Sequence, residues 1–329
     1  MPFSLQTTDS DGYVLVTGSL AFDQIMDFDG DFKDHVLPDK IHTINLSFLV
    51  QEFKKQRGGC SANIAYSLSL LGRRSKILAA AGGDFGEYRD WLAGHGIDVS
   101  GIRMHEDEVT ACCFITTDRA DNQITGFHPG AMSRARELSV LDALGEGERP
   151  RMVIVAPDDP QAMVRHCRET REAGIPLAFD PSFQVIAMDG DTLREAARGA
   201  AVVFVNDYEF AVFQEKTGVT GDRLFELADM WVVTLGEKGS EILTSTADKV
   251  VVPAARPREV TDPTGAGDAY RSGFLAGWVQ GRELSVCGRM GSVAAVYAIE
   301  CYGTQSHAYS AEEFERRYEE NFEPAVSRS

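Results

Sequence analysis

Short apolar runs at 152–155, 177–179, 202–205 and 231–235 alternate with helical patterns at 161–173, 192–198 and 208–216. A chain written this way has few choices, because each helix must cover an apolar sheet face and return the chain to the same edge. The pattern predicts βαβ units forming a parallel sheet covered on both faces. The first half is less regular. A strand at 13–17 ends at Gly18, a mixed stretch at 27–55 contains the breakers Gly30 and Pro38, and a helix over 61–72 places Ile64, Leu68 and Leu71 on one face before Gly72. A buried strand at 77–81 and a helix at 84–95 follow. The alternating segment 102–127 predicts antiparallel strands outside the parallel sheet. A hairpin is expected over 241–252, then helices at 266–279 and 285–299 and a solvated acidic helix at 310–322. No internal repeat or linker divides the 329 residues, and length alone leaves the domain count open.

Charge and cysteine usage exclude some functions. With 32 Lys and Arg against 50 Asp and Glu, the formal net charge of −18 opposes binding to nucleic acid or an anionic membrane. No apolar run approaches the ~18 to 20 residues that span a bilayer. The polar start, with Asp9 and Asp11, does not read as a signal peptide but as a short disordered lead. Six cysteines without a Cys-x-x-Cys pair predict reduced thiols and a cytoplasmic location, and dispersed histidines argue against zinc.

The densest chemical signal is Thr261-Asp262-Pro263-Thr264-Gly265-Ala266-Gly267-Asp268, leading directly into a helical pattern. Glycines admit a close backbone approach, and the first-turn N–H groups with the helix dipole form an anion site that suits phosphate. Asp268 lies in that turn, placed to accept a proton beside developing phosphate charge. Alone, the segment reads more simply as a capped helix start with packing glycines. Neither the Walker pattern nor the dinucleotide fingerprint is present, since Tyr270 stands where the latter needs glycine. Asp84-Phe85-Gly86 lacks every companion motif of protein kinases and is a chance match.

Asn206-Asp207-Tyr208-Glu209 follows a buried strand, so it emerges where open α/β sheets bind ligands. Glu209 could hold Mg²⁺ through water, or the segment could simply cap its helix. Thr234-Leu235-Gly236-Glu237-Lys238-Gly239 is a strand ending in a glycine turn. Gly58-Gly59 before a helix carrying Asn63 is a ligand cradle or a flexible helix entry.

In this order and spacing the segments resemble the PfkB carbohydrate kinase family, the ribokinase-like enzymes, over nearly the whole chain. Gly58 to Asn63 is similar to the N-terminal signature, Asn206 to Glu209 to the Asn-x-x-Glu motif, and Asp262 to Asp268 to the C-terminal signature. Gly18-Ser19-x-x-x-Asp23, Leu46 to Leu49, Arg57-Gly58-Gly59, Tyr88 to Trp91, Pro129 to Met132 and Tyr302 to Gln305 look most like bacterial-type adenosine kinases.

The resemblance implies an α/β fold in a single domain over residues 1–329, a three-layer α/β/α Rossmann-like core with a small β-sheet lid, its segments near 25–53 and 102–127 closing over the acceptor. It implies ATP as phosphoryl donor and adenosine as acceptor. Asp268 would be the catalytic base, and Gly265, Ala266 and Gly267 the anion hole. Asn206 and Glu209 would order Mg²⁺ and the phosphates, while Thr234, Gly236 and Gly239 lie along the nucleotide. Ser19, Asp23, Gly58, Gly59 and Asn63 would hold the sugar, a carboxylate and an amide suiting a diol. Phe127 and Gln184 are candidates for the base pocket, as a stacking face and a purine-edge amide, with an ordinary lid-core aromatic as the alternative for Phe127. Phe183 stands where the adenosine-type pattern has a polar residue. K⁺ is common in the family, and the resemblance leaves room for a homodimer through the lid. Other acceptors, namely inosine, cytidine or ribose, and a nucleoside sensor without turnover are the alternatives.

Overall fold

The structure, a computed structural model, describes residues 3, 5, 12–35, 47–120, 122–145, 149–246 and 249–322. Its strands are β1 (Val14–Thr17), β2 (Ala21–Asp27), β3 (Glu52–Gly58), β4 (Ser75–Gly82), β5 (Asp98–His105), β6 (Ala111–Thr117), β7 (Gln123–His128), β8 (Met152–Val155), β9 (Leu177–Phe179), β10 (Val202–Asn206), β11 (Met230–Thr234), β12 (Ser240–Thr244) and β13 (Val250–Val252). The helices are α1 (Cys60–Leu70), α2 (Gly86–Gly94), α3 (Val140–Ala143), α4 (Pro160–Glu172), α5 (Gln184–Ala187), α6 (Gly190–Ala197), α7 (Asp207–Thr217), α8 (Ala266–Trp278), α9 (Leu284–Ile299) and α10 (Ala311–Phe322).

Nine strands form one sheet in the order β13-β12-β11-β10-β9-β8-β1-β4-β5, parallel from β11 through to β5. The expected hairpin adds β12 and β13 antiparallel at one edge. Strand alternation sets the layers. Val14 and Val16 pack with α1, α8 and α9, whereas Leu15 points to the opposite side with α4, α6 and α7. The strands β1, β8, β9, β10 and β11 run in parallel, so their carboxyl ends share one edge. That edge carries Ser19, Asp158, Asp180, Asn206 and the turn after Thr234.

The second sheet has the order β3-β2-β6-β7. It corrects the sequence expectation twice. The segment 98–105 is not in this sheet: it is β5, the parallel edge strand of the large one, with Ile102, Val99 and Met104 facing α1 and α2. An edge strand covered on one face alternates just as an antiparallel strand does, so periodicity could not separate them. Within the small sheet β2 pairs with β6 in parallel, not antiparallel, because β6 enters only after the chain has crossed β4 and β5. The small sheet also begins at Ala21 and extends to Gly58, wider than 25–53, and the Leu46 end of one motif lies outside the described residues.

Candidate active site

Gly265 starts α8 at φ +81°, a left-handed conformation that glycine adopts without cost and that turns the helix's first N–H groups outward. Asp262 braces this turn, one carboxylate oxygen accepting from Thr264 N–H at 2.9 Å and the other from Gly303 N–H at 3.0 Å. Ala266 N–H leans back on the Pro263 carbonyl at 3.3 Å, and among the described residues the N–H groups of Gly265, Gly267 and Asp268 have no acceptor. Three donors at a helix N-terminus make a site for an anion.

Asp268 is held from α1, where Asn63 donates its amide N–H to Asp268 Oδ2 at 2.9 Å. Burial pushes the Asp268 carboxyl above its ordinary value, while Arg271 and Asn63 pull it back. Arg271, one turn later and buried, donates to Asp180 Oδ1 at 2.7 Å and forms an ion pair with the same carboxylate. Burial opposes its charge, but Asp180, Asp268 and Glu209 together keep the guanidinium protonated. An added Cβ on Gly267 would come within 2.5 Å of Arg271 Nη1, so that glycine leaves room for the guanidinium directly beneath the anion turn. Sequence reasoning missed Arg271; the available signal was a lone cation inside an otherwise apolar helix. Asp180 is followed by Pro181 and Ser182, whose φ of +42° is the one left-handed non-glycine conformation among the described residues.

Asp23, Asn63 and Asp268 all reach this region, from β2, α1 and α8 respectively. Burial and the neighbouring Asp262 carboxylate push Asp23 up to about 6. Gly58 ends β3 against the Asp23 carboxylate and Gly59 opens α1. Ser19 serves that same helix start: its hydroxyl accepts from Cys60 N–H at 3.2 Å and its carbonyl from Ser61. Cross-strand register places Gln56, Asp23, Cys113 and Phe127 in one row on one face of the small sheet. Phe127 is half exposed and lies two strand spacings, ~10 Å, from Asp23. Gln184 is buried, its amide donating to the Asp158 carbonyl at 2.7 Å, whereas neighbouring Phe183 is exposed.

Asn206 and Glu209 form a reciprocal capping box on α7. Asn206 Oδ1 accepts from Glu209 N–H at 2.7 Å, and Glu209 Oε2 from Asn206 N–H at 2.8 Å. Both side chains thus have one oxygen committed. Mg²⁺ dehydrates reluctantly and keeps several waters, so the remaining Glu209 oxygen fits it through water and not as one of a set of direct ligands. No group of three or more metal-ligating side chains occurs among the described residues. Asn206 is paired with Thr234 across β10 and β11, with Gly236 and Gly239 in the turn beyond. No helix among the described residues is long and apolar enough to cross a membrane.

The pfkB family carbohydrate kinase profile matches residues 14–311. A nucleoside kinase of Methanothermobacter thermautotrophicus is 33% identical over 319 residues, 95% of this chain and 98% of the relative. Burkholderia thailandensis nucleoside kinase, solved in complex with inosine, is 37% identical with a TM-score of 0.83, over 94% of this chain and 98% of that one. Methanocaldococcus jannaschii nucleoside kinase, described as an archaeal member of the ribokinase family, superposes with a TM-score of 0.85 at 29% identity, over 94% and 99% of the two chains. The profile runs through both sheets and the α8 turn alike, and on that match the chain belongs to the PfkB carbohydrate kinase family, a phosphotransferase acting on an alcohol group.

Proposed function

We propose that this enzyme transfers the γ-phosphoryl group of ATP to the 5′ hydroxyl of a nucleoside, with adenosine, giving AMP, as the acceptor. The observation that carries the reading is the carboxylate of Asp268, between Asn63 and Arg271, beside three N–H groups that have no acceptor among the described residues. Asp268 takes the proton of the acceptor hydroxyl as its oxygen attacks the γ-phosphorus in line. The new O–P bond forms, the bond to the ADP oxygen breaks, and ADP leaves. The N–H groups of Gly265, Gly267 and Asp268 stabilise the transferred phosphoryl oxygens, the main catalytic demand in such reactions. Mg²⁺, when bound, neutralises charge on the phosphates; Glu209 and Asn206 would order its water shell. Thr234, Gly236 and Gly239 lie along the nucleotide.

Asp23 and Asn63 hold the ribose hydroxyls, and Phe127, on the same sheet face as Asp23, stacks on the base. The small sheet closes over the acceptor and keeps water from competing for the phosphoryl group. The opposite face of that sheet exposes Phe53, Phe114 and Ile124, an apolar surface that supports a homodimer through the lid, testable by light scattering. A second reading, inosine as acceptor, is favoured by the inosine complex of the Burkholderia relative. ADP release with MgATP and a panel of adenosine, inosine, cytidine, ribose and fructose, with and without K⁺, separates these readings. Turnover with no nucleoside overturns both. Asp268→Asn should lower kcat by ~10²- to 10⁴-fold, the usual worth of general-base catalysis, and a variant with near-full kcat removes the assignment.

A further inference from the structure

Two sequence motifs, Tyr88 to Trp91 and Tyr302 to Gln305, have no part in the chemistry above, yet their side chains meet behind Asn63. Gln305 Nε2 donates to Asn63 Oδ1 at 2.7 Å and also to Tyr88 Oη. Tyr88 Oη donates in turn to the Gly58 carbonyl at 3.0 Å. Tyr88 and Gln305 are both buried.

The direction of every proton in it follows from its ends. A backbone carbonyl only accepts, so the Tyr88 hydroxyl proton lies toward Gly58 and its oxygen faces Gln305 as an acceptor. Gln305 must therefore present its NH₂ group there. That same NH₂ group reaches Asn63, which must answer with its carbonyl oxygen. The amide of Asn63 is thereby turned with its NH₂ group toward Asp268, where the 2.9 Å contact needs a donor. Reversing either amide would set two acceptors face to face at Tyr88 or at Asp268. The cost of the arrangement is one unpartnered buried oxygen, Gln305 Oε1.

We propose that Gln305 is a positioning residue for the phosphoryl-transfer base: with Tyr88 it locks the Asn63 amide so that Asp268 always meets a donor on that side. The consequence is that Oδ2 is held as an anion while Oδ1 is left to receive the acceptor proton. The charged groups that act on Asp268 are Arg271 on its own helix and Asp180 beyond β9, with the Cys60 thiol on α1, while Glu209 on α7 faces Arg271 and Asp180. None of them contacts Gln305 in the hydrogen-bonded chain, so the lock acts on Asp268 through Asn63.

The inference rests on Asp268 being the base, which Asp268→Asn tests on its own. The direct test is the pH profile of kcat in Gln305→Glu. Its carboxylate accepts where the amide donated, so Asn63 turns its NH₂ group toward position 305 and its carbonyl toward Asp268. Two facing acceptors favour the protonated acid. The acid limb should move up by about one unit, so that kcat falls about tenfold on the acid side of the wild-type limb while staying within about threefold on the alkaline plateau. The same step made in the Asn63→Ala background should move the limb little. An equal movement in both backgrounds means the new charge acts directly, and overturns the proposal. A pH-independent loss in Gln305→Glu overturns it as well. Should Gln305→Glu fail to fold, Tyr88→Phe, which frees Gln305 to turn, must move the limb in the same direction by less, and an unmoved limb there rejects the lock. If Asp268→Asn retains kcat, the base assignment fails first, whatever the limb does.

Discussion

Arg271→Met is the perturbation with the largest consequence for stability. Asp180 is 1% exposed in its side chain and Arg271 8%, so removing the guanidinium strands a carboxylate where water cannot reach it. Breaking a buried ion pair from one side costs ~3 to 5 kcal/mol, because the remaining partner keeps its full desolvation penalty. Spread over a chain of this length, with ~2.1 cal/mol/K of unfolding entropy per residue, this lowers Tm by about 4 to 7 °C. The sign with pH follows. Burial already pushes Asp180 up to about 7 with Arg271 beside it, and removing Arg271, which pulls it down, raises it further, so the folded variant holds a proton that the wild type gives up. Its deficit against the wild type therefore grows as pH rises from acid to alkaline and shrinks again on acidification. Urea unfolding at pH 5 and pH 8, for Arg271→Met, Asp180→Asn and the double variant, measures each piece. The double variant should recover most of the loss, since neither charge is then buried. A deficit under about 1 kcal/mol at pH 8, or a double variant no better than Arg271→Met, would refute the reasoning.

Asp158, buried beyond β8 and pushed up to about 8 by burial, binds a proton in the folded state that the unfolded chain releases above its ordinary range. Asp158→Asn, which keeps an oxygen for the Asp159 N–H, should change stability little at pH 4 and stabilise progressively up to pH 9, read from urea midpoints. Phe127→Ala should lower kcat/KM for adenosine by roughly 5- to 150-fold, the worth of ~1 to 3 kcal/mol of base stacking, and leave any ribose activity nearly unchanged. Equal losses on both acceptors would make Phe127 a packing residue. Glu209→Gln retains an oxygen for the α7 cap but loses its charge, so the Mg²⁺ concentration for half-maximal rate should rise and the defect should fade at high Mg²⁺; an unchanged titration leaves Glu209 with its capping role alone.

What the sequence made legible was local. The βαβ rhythm between 152 and 235, the 241–252 hairpin and the α8 turn each have their signal within a dozen residues, and each is in place. The capping box at Asn206 and Glu209 was also readable as one of two alternatives. What escaped depends on pairings that no local pattern encodes. The parallel partnership of β2 with β6 joins segments some ninety residues apart. Gln184 looks like a pocket amide in sequence, but the buried Asp158 carbonyl needs a donor and takes it. Tyr88 and Gln305 are separated by 217 positions, so nothing in either motif announces the other.

The joint between the two sheets explains why those distant residues matter. On the proposed function, acceptor contacts would come from the small sheet through Asp23 and chemistry from the large one through Asp268, so a productive complex would require the sheets to be in register with each other. Gly58 stands where that register is set. It pairs with Ala21 at the end of β3, lies against the Asp23 carboxylate, and through its carbonyl anchors the Tyr88–Gln305–Asn63 chain that ends on Asp268. One backbone position thus touches the Asp23 carboxylate on one side and, on the other, anchors the chain that reaches the Asn63 amide beside Asp268. A displacement of the small sheet that moved Gly58 by even 1 Å would stretch the Tyr88 contact from 3.0 Å toward 4 Å, beyond hydrogen-bond reach. Tyr88 would then be free to turn its proton toward Gln305, and the reason for Asn63 to face Asp268 with a donor would be lost. On the proposed function, the donor facing the base would therefore depend on the small sheet being seated.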